Sequence, residues 1–252
     1  MELKIASYNI SGGFYEDDQS VDFFDKKKSD DIDLRLLNDI VKIINTEDID
    51  IICFQEIITT ERINYINRIM EKTNLKYEVH FELSPCAIIK DTECGLAILS
   101  KYPINDSVKE LFTNPKLSKI TSSGNTYYTY DKGFLLANVV VEDQIIAVLT
   151  HHGFPYRRFN STPELNKNIF VEFDNYIKKY NPDIITGDFN SENFIKMMPY
   201  TKENYVKTIN EITTNDGMKF DNILLKNEEY TSKVIVSLSD HFMVIDNIDL
   251  GE

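Results

Sequence analysis

The run from Ile49 to Phe54, IDIICF, is the feature that most constrains the fold. A strand with one wet face alternates apolar and polar residues, whereas a near-continuous apolar run of this length marks a strand covered on both faces. Asp183–Thr186 reads the same way. Further strand-prone runs are Leu3–Tyr8, Tyr77–Glu82, Gly95–Ser100, Ser107–Phe112, Gly133–Val141, Gln144–Thr150, Lys219–Leu225, Lys233–Ser237 and Phe242–Ile248. Glu142-Asp143 reads as a hairpin turn between two of them. Helical spacing recurs three times. Over Asp31–Thr46, Leu34, Leu37, Ile40, Val41 and Ile44 point inward. Over Glu61–Lys72, Ile63, Ile66 and Ile69 or Met70 do so. After Ser161-Thr162-Pro163-Glu164, a capping-box start with Pro at the first helical position, the inward stripe is Leu165, Ile169, Phe173, Tyr176 and Ile177. Two packed sheets with helices outside bury such a pattern.

No Pro/Gly/Ser-rich linker or repeat divides the 252 residues, so one domain over 1–252 is expected. Three cysteines, Cys53, Cys86 and Cys94, form neither a CxxC pair nor a disulfide framework, and Cys53 reads as core. The net charge of −14 opposes tight non-specific binding to nucleic acid, which relies on Lys and Arg at phosphates. It leaves room for turnover through a local basic patch. The Met1 start shows no signal peptide and no apolar stretch of membrane-spanning length, so a cytoplasmic location is expected. Lys26-Lys27-Lys28, set in an acidic loop running to about Ser29, reads as a solvated surface.

The polar residues of interest sit at the ends of apolar strands, where loops on rigid supports hold reactive groups. They are Asn9, Glu56, His151, Asp188, Asn190, Asp221, Asp240 and His241. Taken singly, each also fits a turn, a cap or a solvated strand end. Together they fall in short words: SYNI at 7–10, FQE at 54–56, GLAILS at 95–100 followed by KYPI, LTHH at 149–152, GDFN at 187–190, FDNILL at 220–225 and SDH at 239–241. In order and spacing these resemble the endonuclease/exonuclease/phosphatase superfamily, from Tyr8 to His241. That family includes pancreatic-type deoxyribonucleases, apurinic-site endonucleases, neutral sphingomyelinases and inositol polyphosphate 5-phosphatases. The resemblance implies an α/β (α+β) four-layer sandwich, two facing, mostly antiparallel β-sheets flanked by helices. It also implies a metal-dependent phosphoester hydrolase.

Cleaving a phosphoester with water requires a nucleophile, charge neutralisation at the phosphoryl oxygens and a stabilised leaving oxygen. Glu56 is the candidate metal ligand, with Asn9 and Asp240 completing that side. Mg²⁺ suits such hard oxygen donors, and Mn²⁺ is the natural substitute. Asp188 would orient or deprotonate the water and Asn190 would hydrogen-bond it or the phosphate. His241 would meet a phosphoryl oxygen or transfer a proton, held by Asp221. His151 matches the histidine of the family's TH word, at the phosphate or leaving group. The apurinic-site branch usually has Tyr there, so His151 points toward the other branches. A structural role is expected for His152.

Substrate choice is less legible. Arg157 and Arg158, beside Tyr156 and Phe159, could pair with an anionic head group or stack a base. Lys132-Gly133 resembles a lysine–glycine word of sphingomyelinase-like members. There is no Trp, and the short stretch Glu192–Gly217 leaves little room for a recognition insert. The expected activity is a Mg²⁺-dependent phosphodiesterase, nuclease-like or acting on a small diester. The alternatives are a phosphomonoesterase of the same fold, a non-catalytic phospho-ligand-binding module and a secreted toxin or nuclease. The expected partner is the phosphoester substrate, nucleic acid among the candidates, with no stable membrane insertion and no obligate protein partner.

Overall fold

The computed structural model describes residues 2–13, 29–226 and 229–251. The Lys26-Lys27-Lys28 run and most of its acidic loop lie outside the described residues. In chain order the elements are β1 (Glu2–Asn9), α1 (Leu34–Glu47), β2 (Ile51–Ile58), α2 (Tyr65–Met70), β3 (Tyr77–Pro85), β4 (Glu93–Ser100) and β5 (Ile104–Leu111). There follow β6 (Ser118–Ile120), β7 (Thr126–Tyr128), β8 (Gly133–Val141), β9 (Gln144–His152), α3 (Lys167–Tyr180) and β10 (Ile184–Asp188). The chain ends with α4 (Pro199–Asn204), β11 (Val206–Lys207), β12 (Asp221–Leu225), β13 (Glu229–Ile235) and β14 (Met243–Asp249).

The strands form two six-stranded sheets, ordered β13-β14-β1-β2-β4-β3 and β11-β12-β10-β9-β8-β5, and a small β6-β7 ribbon. Both large sheets are antiparallel except at one central pair each. β1 runs parallel to β2 across α1, and β9 runs parallel to β10 across α3. A parallel pair needs such a crossover. The strand periodicity then makes three cores. Leu3, Ile5, Ile51, Cys53, Val148 and Ile223 meet between the sheets. Tyr8, Ile52 and Phe54 pack on the other face of the first sheet with α1 residues Leu36, Ile40 and Ile44. Leu149, Ile185 and Leu224 pack on the outer face of the second with Phe173 and Ile177 of α3. Each sheet is therefore covered on both sides, which is why IDIICF carries no alternation, and the expected sandwich of two mostly antiparallel sheets with helices outside is the one found.

Local departures have local causes. Asn64 caps a new start by accepting from Asn67 N at 2.8 Å, so the expected helix over Glu61–Lys72 splits into a 3₁₀ turn at Glu61–Ile63 and the short α2. Ser161 accepts from the Asn166 side-chain amide at 2.9 Å rather than from the backbone, and the segment starts as a 3₁₀ turn, Glu164–Asn166, so α3 begins at Lys167 and Leu165 is left exposed rather than buried. In α1 the buried stripe is Leu36, Leu37, Ile40, Ile43 and Ile44, and Leu34 faces solvent. Among the described residues no helix is long and apolar enough to cross a membrane.

Asp246 is a polar intruder between the sheets. Alternation along β14 puts it on the same face as Val244 and Ile248, fully buried, with neither carboxyl oxygen hydrogen-bonded. Burial pushes its pKa up to about 6, and the nearby Thr208 and Ser232 hydroxyls offset only part of this. Below the ordinary value the group is protonated whether the chain is folded or not. The penalty grows as pH rises toward 6 and is complete above it, at about 3 kcal/mol. Asp246→Asn is therefore expected to raise stability by that order in urea melts at pH 7.5 and to make little difference near pH 4.

Candidate active site

The carboxyl ends of the two central parallel pairs point to the same edge of the sandwich. Asn9 ends β1, Glu56 lies near the end of β2, His152 ends β9 and Asp188 ends β10. Strand register sets Asp188 beside His152 on one side and beside Asp221 of β12 on the other.

Asn9 joins the sheets. Its Nδ2 donates to Asp188 Oδ2 at 3.1 Å, and its Oδ1 accepts from Ser11 N at 3.0 Å. The Ser239 hydroxyl donates to the Asn9 carbonyl at 2.9 Å, tying the SDH loop to the same point. Glu56 is re-aimed by a β-bulge. The β2–β4 register slips between Gln55 and Ile57, and Glu56 takes a left-handed φ of 53°. Bulges of this kind redirect a side chain beside active sites, at a cost in backbone strain of about 1–2 kcal/mol. Gln55 stays between the sheets, donating to Thr150 Oγ1 at 2.9 Å, while Glu56 reaches the cleft with its side chain 29% exposed.

The GDFN turn is fixed by backbone contact. Gly187 has φ 147°, and a Cβ there would lie 2.2 Å from the His151 carbonyl oxygen, so only glycine fits. Phe189 stacks on Phe194, which aims its neighbours outward. Asp188 then accepts from Asn190 N at 2.8 Å on Oδ1 and from Asn190 Nδ2 at 3.0 Å on Oδ2. His241 Nδ1 lies 2.8 Å from Asp221 Oδ2, and its Nε2 lies 3.8 Å from Asp188 Oδ2. Asp240 is half-buried, 3.8 Å from Arg158 Nη2.

The electrostatics divide these groups. Burial pushes the Asp188 carboxyl up to about 6, with Asp221 adding to the effect and His241 opposing it. Burial works against charge on His241, but Asp221 and Asp188 outweigh it and hold the ring well above the usual histidine range. Burial would also raise Asp240, but His241 and Arg158 override it and keep the carboxyl below its ordinary value.

Three of the sequence expectations require correction. His151 is not in this cluster. β9 alternation sends it outward with Leu149, where its ring lies 4.4 Å from Phe173 and 4.2 Å from Phe189, with both nitrogens unpartnered. Burial depresses its pKa to about 3. The adjacent His152, expected to be structural, faces inward with Val148 and Thr150. Its Nε2 is 3.5 Å from both Glu56 Oε1 and Asp188 Oδ2. Arg157 also turns away, pairing with Asp216 at 3.2 Å in solvent, whereas Arg158 lines the cleft. One residue was left out of the expected set: Lys132 is buried in the cleft wall with Nζ 2.9 Å from His152 Nδ1. Its lysine–glycine word was the only sign of it.

The cleft measures about 810 Å³ including its open mouth. Its lining combines the polar Glu56, His152, Asp188, Asn190 and His241 with the apolar Leu83, Pro85, Ile88, Tyr128, Tyr130 and Phe159. The polar side chains offer candidate donors for a metal. Glu56 lines the cleft, Asn9 is hydrogen-bonded to Asp188 there, and Asp240 lies on the adjoining SDH loop; their hard oxygens fit Mg²⁺ or Mn²⁺ rather than a thiophilic ion. Ligand atoms of Asp188, Asp221 and His241 also lie within 4.8 Å of one another. The Asp221–His241 hydrogen bond and the charge held on that ring leave it no lone pair for a metal, so this trio works better as a proton-holding relay.

Residues 6–241 match the Endonuclease/Exonuclease/phosphatase family, and the chain belongs to it. The members are phosphoester hydrolases, generally dependent on a divalent metal, and this chain is a hydrolase of that class. No curated protein matches it in sequence. Among solved structures it resembles an endonuclease/exonuclease/phosphatase from Beutenbergia cavernae, with TM-score 0.72 and 16% identity over 99% of this chain and 72% of that one. It also resembles truncated Caenorhabditis elegans TDP2, with TM-score 0.62 and 15% identity over 98% and 97%. The human Nocturnin catalytic domain with bound sulfate gives TM-score 0.63 and 13% identity over 98% and 93%. At such identities these likenesses speak for the fold.

Proposed function

We propose that this chain is a Mg²⁺-dependent phosphodiesterase that cleaves a small or single-stranded diester by in-line attack of water on phosphorus. The observation that carries the reading is the setting of Asp188. Both its oxygens are already hydrogen-bonded by Asn190 and one by Asn9, it lies 3.8 Å from the charged His241, and burial raises it to about 6. A carboxylate so held is oriented and basic enough to take a proton from water near neutral pH.

Glu56, with Asp240 and Asn9, would hold the cation, which supplies charge neutralisation at the phosphoryl oxygens. Asp188 orients and deprotonates the water. Asn190 fixes Asp188, and with its Nδ2 donating to Asp188 Oδ2 and to the Gly153 carbonyl it meets the water through Oδ1, as an acceptor. His241, kept charged by Asp221, donates to a non-bridging oxygen. His152 faces the same space from the opposite side, taking the place expected for His151. Arg158 supplies a cation at the mouth.

Two features favour a diester over a monoester. Among the described lining residues the cleft offers only Lys132, Arg158 and the charged His241 against Glu56 and Asp188, with Asp240 close by. That balance suits a monoanion better than a dianion. The apolar side chains of Leu83, Pro85, Tyr128 and Tyr130, with Tyr128 and Tyr130 exposed to solvent, give a second ester substituent a surface to pack against. The net charge of −14 disfavours long duplex nucleic acid. With Mg²⁺ present, bis-p-nitrophenyl phosphate is expected to be hydrolysed with a kcat/KM at least about tenfold that of p-nitrophenyl phosphate, a gap of ~1.4 kcal/mol in transition-state binding. A preference for the monoester would replace this reading with a phosphomonoesterase.

A further inference from the structure

Between the small ribbon and β8 the chain runs Tyr128-Thr129-Tyr130-Asp131-Lys132, and alternate residues face different ways. Tyr128, Tyr130 and Lys132 line the cleft. Thr129 and Asp131 turn to Asn114 instead. The Thr129 hydroxyl donates to Asn114 Oδ1 at 2.7 Å, and Asn114 Nδ2 donates to Asp131 Oδ1 at 2.9 Å. The backbone is pinned as well. Thr129 N donates to the Leu117 carbonyl at 3.0 Å, Asn114 Nδ2 to the Thr129 carbonyl at 3.0 Å, and Phe112 N to the Lys132 carbonyl at 2.8 Å. A period of two is that of an extended chain, which rises about 3.3 Å per residue. Measured along it, Tyr130 stands about 7 Å and Tyr128 about 13 Å from Lys132. The inner end is fixed among the reacting groups, since Lys132 Nζ lies 2.9 Å from His152 Nδ1. One pinned segment thus leads away from the reacting groups and presents two aromatic rings on the way.

We propose that Tyr128 and Tyr130 form a stacking subsite for a planar heteroaromatic ring, so that the second substituent of the diester is a nucleoside rather than an alkyl or acyl chain. Exposure decides between the two. Tyr130 is 37% and Tyr128 62% exposed. An alkyl chain gains in proportion to the apolar area it removes from water, and against so open a wall much of its own surface stays wet. A planar base needs only one ring face. It stacks on an aromatic side chain and leaves its polar edges in water. The ribbon strand β6 approaches the Tyr156–Phe159 turn, whose Arg158 lines the same cleft and adds a second flat, cationic group. The net charge of −14 also opposes approach to an anionic lipid surface.

The subsite rests on the diesterase reading, and two measurements keep the two apart. The first compares three esters that share the p-nitrophenolate leaving group and carry methyl, octyl or 5′-thymidyl as the second substituent. With Mg²⁺, the wild type is expected to favour the thymidyl ester over both others by about tenfold in kcat/KM. Tyr130→Leu keeps apolar bulk and removes the ring. It is expected to lower the thymidyl-to-methyl ratio about tenfold, mainly through KM, with Tyr128→Leu lowering it less and Tyr130→Phe keeping it. Both positions are exposed, so these substitutions leave the fold intact. The second measurement is calorimetric binding of thymidylyl-thymidine in EDTA, which Tyr130→Leu is expected to weaken about tenfold and Tyr130→Phe to keep. An octyl ester that matches or beats the thymidyl ester overturns the proposal. So does a thymidyl-to-methyl ratio unchanged in Tyr130→Leu. If no ester is turned over but Tyr130→Leu weakens binding as stated, the hydrolytic reading fails and the subsite stands. Turnover of all three esters without a preference for the ring does the reverse.

Discussion

Asp188→Asn is expected to lower kcat on bis-p-nitrophenyl phosphate about 10³-fold while leaving the fold intact. The substitution keeps shape and volume. The remaining side-chain oxygen can still accept from Asn190 N, as Asp188 Oδ1 does at 2.8 Å. What is lost is, among the described residues, the one carboxylate that meets Asn9, Asn190, His152 and His241 together. A positioned general base contributes roughly 10² to 10⁴ to rate, so removing the base and its charge falls within that range. KM should move less than kcat, because the water and not the substrate loses its partner. Relief of a buried charge is offset by the new amide nitrogen facing the Asn9 and Asn190 Nδ2 donors, so thermal stability of the metal-free variant at pH 7.5 is expected to change little. A variant within tenfold of the wild-type rate would remove Asp188 from this role.

The adjacent histidines give the second large effect, and it is a contrast. His152→Ala is expected to lower kcat on the order of 10²-fold, the size of losing one preorganised donor at a phosphoryl oxygen. His151→Leu is expected to keep activity within about threefold and to raise stability by about 1 kcal/mol, since it removes two buried nitrogens that have no partner. The His151 pKa, lowered to about 3 by burial, adds a pH signature. A buried neutral histidine contributes stability that is present near neutrality and is lost as pH falls below the ordinary value, because the unfolded chain takes up the proton first. His151→Leu should therefore flatten the acid side of the stability profile. Urea melts between pH 4 and 7.5, with initial rates on the same preparations, test both halves. Loss of activity in His151→Leu without loss of fold would restore the sequence expectation.

That expectation failed for a physical reason. In a half-exposed strand, alternation tells which neighbour faces inward. β9 is buried on both faces, with Val148 against the other sheet and Leu149 against α3, so LTHH carries no sign of which histidine enters the cleft. The same double burial that made the two-sheet sandwich legible from IDIICF hid the parity of the site. Glu56 was found from its word, but the bulge that aims it follows from β2–β4 pairing, a non-local fact. Arg157 and Arg158 could not be separated because a 3₁₀ turn, Tyr156–Phe159, anchors Tyr156 and Phe159 inward and splits the two guanidinium groups. Asn9, Asp188, Asn190, Asp221 and His241 were legible because each sits where a strand ends and the chain must turn. The structure brings all five together.

The most direct test of the central account is metal-dependent turnover in a chelator-stripped preparation. The wild type should lose hydrolysis of bis-p-nitrophenyl phosphate in EDTA and regain it on titration with Mg²⁺, whereas Glu56→Gln should need far more Mg²⁺ for half-recovery and Asp188→Asn should stay inactive at saturation. Full activity in EDTA, or a Glu56→Gln titration that overlays the wild type, would contradict it.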